Sequence, residues 1–304
     1  LFDIFAGGVL PIFAIGAIGW IFGRLGTFDV ATAGAINRFA FYVGIPALGF
    51  RLITHAPLED FDVRLLAGFF ATEVVMYGAG FVVGRYMFKT SRREAILLGL
   101  ACALTNHILF VLPIAITLFG EQAAAPIVAI ITMDSIVLFS LTSMTMDIIV
   151  HKDGSVFHLL GKIMRNPPVV AMSSGLLVAL AGFDVPANVD VFLEFAGGAA
   201  APCALFSLGV ILSQKQDSDR ALLPVVLTAV KLLIHPALAW LVLVSFFDLP
   251  ATISTPAMMV AAAPCGAMAF VLALNYQVRV DAIARAIFYS SIGSLLTITL
   301  AAAL

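Results

Sequence analysis

Charge is scarce in this sequence. Only 11% of its 304 residues are Asp, Glu, Lys or Arg, less than half of the roughly 25% usual in soluble domains. A chain so poor in charge cannot cover a water-facing surface. Cysteine is scarce as well. Cys102, Cys203 and Cys265 all fall inside apolar runs, which makes them packing residues rather than disulfide or metal partners. The enzyme signatures H-E-x-x-H, G-x-x-x-x-G-K and G-x-S-x-G are missing, and with them the chemistry each would carry. No histidine and cysteine spacing suits a metal. No catalytic residues, metal or cofactor are therefore expected. The net charge of −2 says little about partners, and no nucleic acid is expected among them. There is no linker, low-complexity segment, soluble domain or evident cleavable signal. The chain starts at Leu1 without a methionine, so a few preceding residues are expected.

What is present is hydrocarbon. Apolar residues make up 62% of the chain, and mean hydropathy is +1.10. At about 20 residues per helical span, there is room for ten spans. The apolar runs are long and do not alternate, which disfavours a β-barrel. The predicted fold is an all-α polytopic membrane protein with spans at 4–23, 33–53, 64–88, 93–118, 124–149, 167–182, 190–212, 221–246, 252–276 and 282–303. Thirteen of the 16 lysines and arginines lie in or beside the odd-numbered loops. This bias places those loops in the cytoplasm and both termini on the other side.

The two halves resemble each other at an offset of 156–160. Leu10-Pro11 falls on Asn166-Pro167, Pro46 on Pro202, Glu73 near Lys231, Phe110-Val111-Leu112 on Phe270-Val271-Leu272, and Glu121 on Asp281. Residues 1–155 and 156–304 are thus read as two five-span repeats. An odd count inverts the second repeat in the membrane, an arrangement common in secondary transporters.

Span 4 carries Thr105-Asn106-His107 upstream of Pro113. Proline removes a donor and clashes with the carbonyl four residues back, here at Leu109. Span 9 carries Pro264-Cys265-Gly266 near its centre. Both spans are expected to break near mid-membrane, where irregular backbone survives only against protein or a watery cavity. Each restarted helix would offer a partial positive charge to an anion. Ordinary kinks are the alternative. Glu73 and Lys231 are lone charges within spans 3 and 8, each costing roughly 2.5–3.5 kcal/mol at mid-membrane on insertion scales. Glu73 reads as a proton or ion site and Lys231 as an anion attractor. A structural Glu73–Lys231 pair and a snorkelling Lys231 are the alternatives. Asp134 in span 5 reads like Glu73, whereas Asp147 reads as solvated near the cytoplasmic end. His235 follows Lys231 by one turn and shares its face. His107 and His235 are candidates to titrate or to pack. Pro46 and Pro202 are expected to kink spans 2 and 7, and the small residues 197–201 to permit close helix contact.

Three segments carry a resemblance: Arg165-Asn166-Pro167-Pro168, Ala201-Pro202-Cys203-Ala204-Leu205-Phe206-Ser207-Leu208-Gly209, and Lys231-Leu232-Leu233-Ile234-His235-Pro236. Together they resemble the auxin efflux carrier family, within the bile acid/arsenite/riboflavin transporter superfamily. The bacterial members similar to this chain are often described as malonate or related carboxylate permeases. The resemblance implies a scaffold of spans 1, 2, 6 and 7 that carries a homodimer contact. It implies a mobile unit of spans 3–5 and 8–10, with spans 4 and 9 crossing at their breaks and substrate beside the crossing. Asn106 matches the family's crossover asparagine, Pro113 stands near its crossover proline, and Glu73 matches an acidic position tied to proton coupling. His107, Ile108 and Leu109 depart from the small residues of the plant pattern, and the long cytoplasmic loop of many plant carriers is absent.

The expected protein is a secondary transporter in a lipid bilayer, taken as the bacterial inner membrane. It would move a small organic anion, auxin-like or malonate-like, by an elevator motion. Expected substrate residues are Thr105, Asn106, His107, Pro113, Asp134, Lys231, His235, Pro264, Cys265 and Gly266, with Glu73 for coupling. A sodium-coupled bile-acid-type symporter ranks second, and a non-transporting receptor is the rival of another class.

Overall fold

A computed structural model describes residues 10–56, 58, 61–107, 111–151, 166–214 and 220–303. The expected turn at Leu109 and the charges Lys152, Lys162, Arg165 and Lys215 lie outside them.

The described residues form twelve helices and no strand. In chain order these are α1 (Leu10–Arg24), α2 (30–54), α3 (Val63–Met87), α4 (Arg92–Ala103), α5 (Leu112–Phe119), α6 (Ala124–Val150), α7 (Pro167–Leu180), α8 (Ala187–Ser213), α9 (Leu222–Phe246), α10 (Ala251–Ala261), α11 (Met268–Asn275) and α12 (Asp281–Ala302). Five of them, α3, α6, α8, α9 and α12, are long and apolar enough to cross a membrane. The chain is an integral membrane protein by this measure and by its composition.

Polar residues just before the helices start them. The Asp29 carboxylate accepts from Thr32 N at 2.8 Å, and Asp62 accepts from Arg64 N at 2.8 Å. Ser91 accepts from Glu94 N at 3.1 Å, and Asn166 Oδ1 from Val169 N at 3.4 Å. Each satisfies one of the donors that a helix start leaves open. Two of the prolines inside the spans follow wider turns. A π-helical segment, Ala40–Gly44, precedes Pro46, and another, Val230–Ile234, precedes Pro236. Such turns accommodate the amide that proline lacks.

The helices pack as two groups. In one, α1 lies along α8, and α2 packs on α7 and α8. Small residues allow the approach: a side chain at Gly19 would collide with the Phe206 carbonyl, and one at Gly197 would come within 2.9 Å of Leu48 Cα. In the other group α3 packs on α4 and α9, α6 on α3 and α10, α12 on α9 and α10, and α11 on α4. The groups meet where α2 and α8 face α11, α7 faces α6, and α8 faces α12.

Candidate functional site

The predicted spans 4 and 9 are both interrupted, and the interruptions face each other. α4 ends at Ala103, and Leu104 turns to extended backbone at φ −64°, ψ 137°. α10 ends at Ala261, and α11 starts at Met268. Between them Thr105 and Cys265 pair as a short antiparallel bridge. Asn106 N donates to Pro264 O at 3.1 Å, and Gly266 N donates to Leu104 O at 2.8 Å. Each break thus supplies partners for the other's freed backbone, as a low-dielectric setting requires. Cys265 N is met by Ser290 Oγ at 3.1 Å.

The first break lies further upstream than Pro113 accounts for. α4 has already ended at Ala103, whereas Pro113 falls in the first turn of α5, where a missing N–H is of little consequence. Proline here restarts a helix instead of kinking one. Pro264 does lie within the second break, as its sequence position predicts.

Lys231 is fully buried and bonded behind the first break. Its Nζ donates to Thr105 Oγ1 at 2.6 Å and Ala103 O at 3.2 Å, and it lies 2.8 Å from His235 Nδ1. The Thr72 hydroxyl donates to Phe69 O at 2.7 Å and sits 3.3 Å from His235 Nε2. That arrangement fits a neutral His235 protonated on Nε2, with Nδ1 accepting from the ammonium. All three Lys231 protons then have acceptors. Among the described residues Lys231 makes no ion pair with Glu73, so the simple pair weighed from the sequence is not formed. Neither Lys231 nor His235 borders either of the two cavities beside the breaks.

A second polar group gathers beside it. His107 Nε2 lies 2.5 Å from Asp134 Oδ2, both residues being buried. The Glu73 and Asp134 carboxyls are close enough to interact electrostatically. Glu73 Oε1, Glu73 Oε2 and Asp134 Oδ1 are buried with no hydrogen-bond partner among the described residues. A proton on either carboxyl would turn one of these oxygens into a donor.

Two cavities flank the breaks. The smaller, about 90 Å³, is bordered by Thr105, Asn106, His107, Asp134 and Ser135, with apolar walls that include Ile45, Phe139 and Met172. α11 starts at its wall, with Ala267 and Met268. The larger, about 490 Å³, lies among α1, α8 and α12, with Trp20, Leu208 and Phe288 in its walls and Ser291 and Asn106 as polar members. It falls within the range usual for small-molecule sites. Asn106 borders both, and among the described residues its side-chain amide has no hydrogen-bond partner. No lysine or arginine borders either cavity. Among the described residues no three His, Cys, Asp or Glu converge as a metal site.

The structure therefore brings Thr105, Asn106, His107 and Asp134 to a cavity wall. It places Glu73, Lys231 and His235 one layer behind, and buries Cys265 in the break beside Pro264 and Gly266. Trp20, Phe288 and Ser291 were not singled out from the sequence. Phe288 and Ser291 lie one turn apart on α12, and Trp20 lies far from them in the chain, so no local pattern unites the three.

A model of the family described as membrane transport protein matches residues 4–302. The chain belongs to this family, that of the auxin efflux carriers. It is 27% identical over 303 residues to a protein of Rhizobium meliloti (strain 1021) named "Putative malonate transporter", covering 96% of this chain and 93% of that one. It is 25% identical over 301 residues to an "Uncharacterized transporter" of Methanothermobacter thermautotrophicus (strain Delta H), covering 96% and 95%. The family is one of transporters, not of enzymes.

Proposed function

We infer that the protein is a secondary carrier of a small organic anion, with malonate or a similar carboxylate as the leading substrate. The observation that carries this reading is Asn106. Its amide borders two cavities, has no partner among the described residues, and sits where two broken helices hold each other open. An amide offers both donors and an acceptor to a carboxylate or carboxylic acid. The start of α11 adds about half a positive charge at most. With no lysine or arginine in either wall, the field is weak. A monoanion, or one carboxylate of a larger molecule, should be preferred over citrate or phosphate.

The ten-span reading, with two inverted five-helix repeats, fits a carrier whose two faces open in turn. In it α1, α2, α7 and α8 form a scaffold that also carries a homodimer contact. The remaining helices form the unit that moves, in an elevator cycle across a bacterial inner membrane with both termini outside. Glu73, against Asp134 and through it His107, is the coupling site for a proton. Sodium coupling ranks below it, because the Lys231 ammonium already occupies the oxygen ligands of the first break, Ala103 O and Thr105 Oγ1.

Counterflow tests the reading. Proteoliposomes loaded with unlabelled malonate should accumulate radiolabelled malonate above protein-free vesicles, and less so when citrate is supplied inside. Ligand binding without any counterflow would make the protein a receptor instead.

A further inference from the structure

A buried polar knot joins the two helix groups away from both cavities. Asn166, the residue that caps α7, donates through Nδ2 to Ser143 Oγ at 2.7 Å and Asp147 Oδ2 at 2.9 Å. The Tyr276 hydroxyl, just past the end of α11, donates to Asp147 Oδ1 at 2.8 Å, with Ser143 O 3.0 Å away. Asn166 Nδ2 also lies 3.5 Å from the Tyr276 oxygen. Asn166 belongs to the group of α1, α2, α7 and α8, whereas Ser143, Asp147 and Tyr276 belong to the other. Asp147 is thus a held acceptor at this interface, not the freely solvated charge its sequence position suggests.

A second nitrogen-to-oxygen hydrogen bond between the groups runs from Asn37 Nδ2 to Val271 O at 3.1 Å. The Asn166 bonds hold α6, and the Asn37 bond holds α11. The boundary also holds the contact of Ser140 Oγ with Met172 Sδ at 4.0 Å, both cavities and apolar packing. Apolar surfaces can slide past one another with little change in energy. Parting the groups breaks the Asn166 bonds to Ser143 and Asp147, and the charge-assisted bond to Asp147 is roughly twice as strong as a neutral one.

We propose that Asn166, Asp147 and Tyr276 form a latch between the two helix groups, which holds the conformation described here and opens when the groups move. This rests on the carrier reading only for its purpose. The latch itself is a statement about which contacts hold two groups of helices together. In a working cycle it would weight the equilibrium towards one access state, and its strength would set how often the other is visited.

Two substitutions separate the latch from ordinary packing. Tyr276→Phe removes one hydroxyl and keeps the ring. Asn166→Asp keeps the oxygen that caps α7 while replacing the amide donor with a second carboxylate facing Asp147. Spin labels at the exposed positions Leu141 on α6 and Leu177 on α7, in a Cys203→Ser background, report the distance between groups in nanodiscs. The wild type should give one dominant distance. Tyr276→Phe should raise a second population at least about threefold, and Asn166→Asp more. A cysteine pair at 143 and 166 should, when oxidised, restore the single distance. An unchanged distribution in folded Asn166→Asp overturns the latch, whatever happens to its melting temperature. If Asn166→Asp does not fold, Asn166→Ser, whose hydroxyl can cap α7 but is too short to reach Asp147, decides. The measurement needs no substrate, so failed malonate counterflow and a failed latch cannot be mistaken for each other.

Discussion

The two helix breaks share a backbone and differ in chemistry. Thr105–Asn106 and Pro264–Gly266 exchange backbone bonds, and each stands between two short helices. Around the first gather Lys231, His235, His107, Asp134 and, behind them, Glu73. Around the second are Ala261, Ala262, Ala263, Ala267 and a single serine, Ser290. The geometry of a broken helix therefore does not need charge to persist. Backbone pairing and two hydroxyls, Ser290 on Cys265 N and Thr297 on Ala262 O, suffice for the second break. On the proposed function, the charges at the first break serve a substrate and a coupled proton, as such groups do in membranes.

The largest effect should come from breaking the charged side. Lys231→Met keeps most of the volume but leaves Ala103 O, Thr105 Oγ1 and His235 Nδ1 without their donor. At roughly 1–3 kcal/mol per buried unsatisfied group, the loss should reach about 3 kcal/mol or more. A thermal melt in detergent checks it. A variant as stable as the wild type would mean that Lys231 is not what braces the first break.

Crowding the quiet side comes next. A side chain at Gly266 would meet Leu104 Cγ and the Leu104 carbonyl at 3.1 Å, the same carbonyl that accepts from Gly266 N. Gly266→Ala should push the breaks apart and destabilise the protein by about 1–3 kcal/mol. Transport should fall with it, since Leu104 leads directly into Asn106. Equal melting temperatures would show that the breaks have slack between them.

A third test sharpens the functional difference without disturbing either backbone. Glu73→Gln replaces the carboxyl abutting Asp134 with a neutral amide that can donate to it. The protein should stay folded, and the pH profile of uptake should flatten. A wild-type profile in the variant would return Glu73 to a structural role. The smallest effect belongs to the second break, where Ser290→Ala removes one bond to Cys265 N. The expected loss is about 1 kcal/mol, with uptake largely kept.

Much of this contrast was legible in the sequence, and the limits have physical causes. The apolar spans and the presence of two interrupted spans follow from local chemistry. Asn106 and Pro264 stood out because polar or donor-free residues are rare at such depth. The position of the first break was less legible. Pro113 marks where a helix begins again, while the end of α4 at Ala103 is set by pairing with residues some 160 positions away. Partners were harder still. Glu73 and Lys231 invited a simple pair because they are the lone charges of their spans. The fold instead gives Lys231 to backbone, Thr105 and His235, and sets Glu73 against Asp134. Asp147 looked solvated because a charge near a span's end usually is. Its two partners, Asn166 and Tyr276, lie 19 and 129 positions away.

The most direct test of the account is equilibrium binding by folded, purified Asn106→Ala. The amide has no partner among the described residues, so its removal should barely change the melting temperature without ligand. Malonate at about 100 times its Kd should stabilise the wild type by about 2.7 kcal/mol, and this increment should nearly vanish in the variant. If Asn106→Ala is stabilised by malonate as much as the wild type is, the substrate does not bind at the paired breaks, and the central claim is wrong.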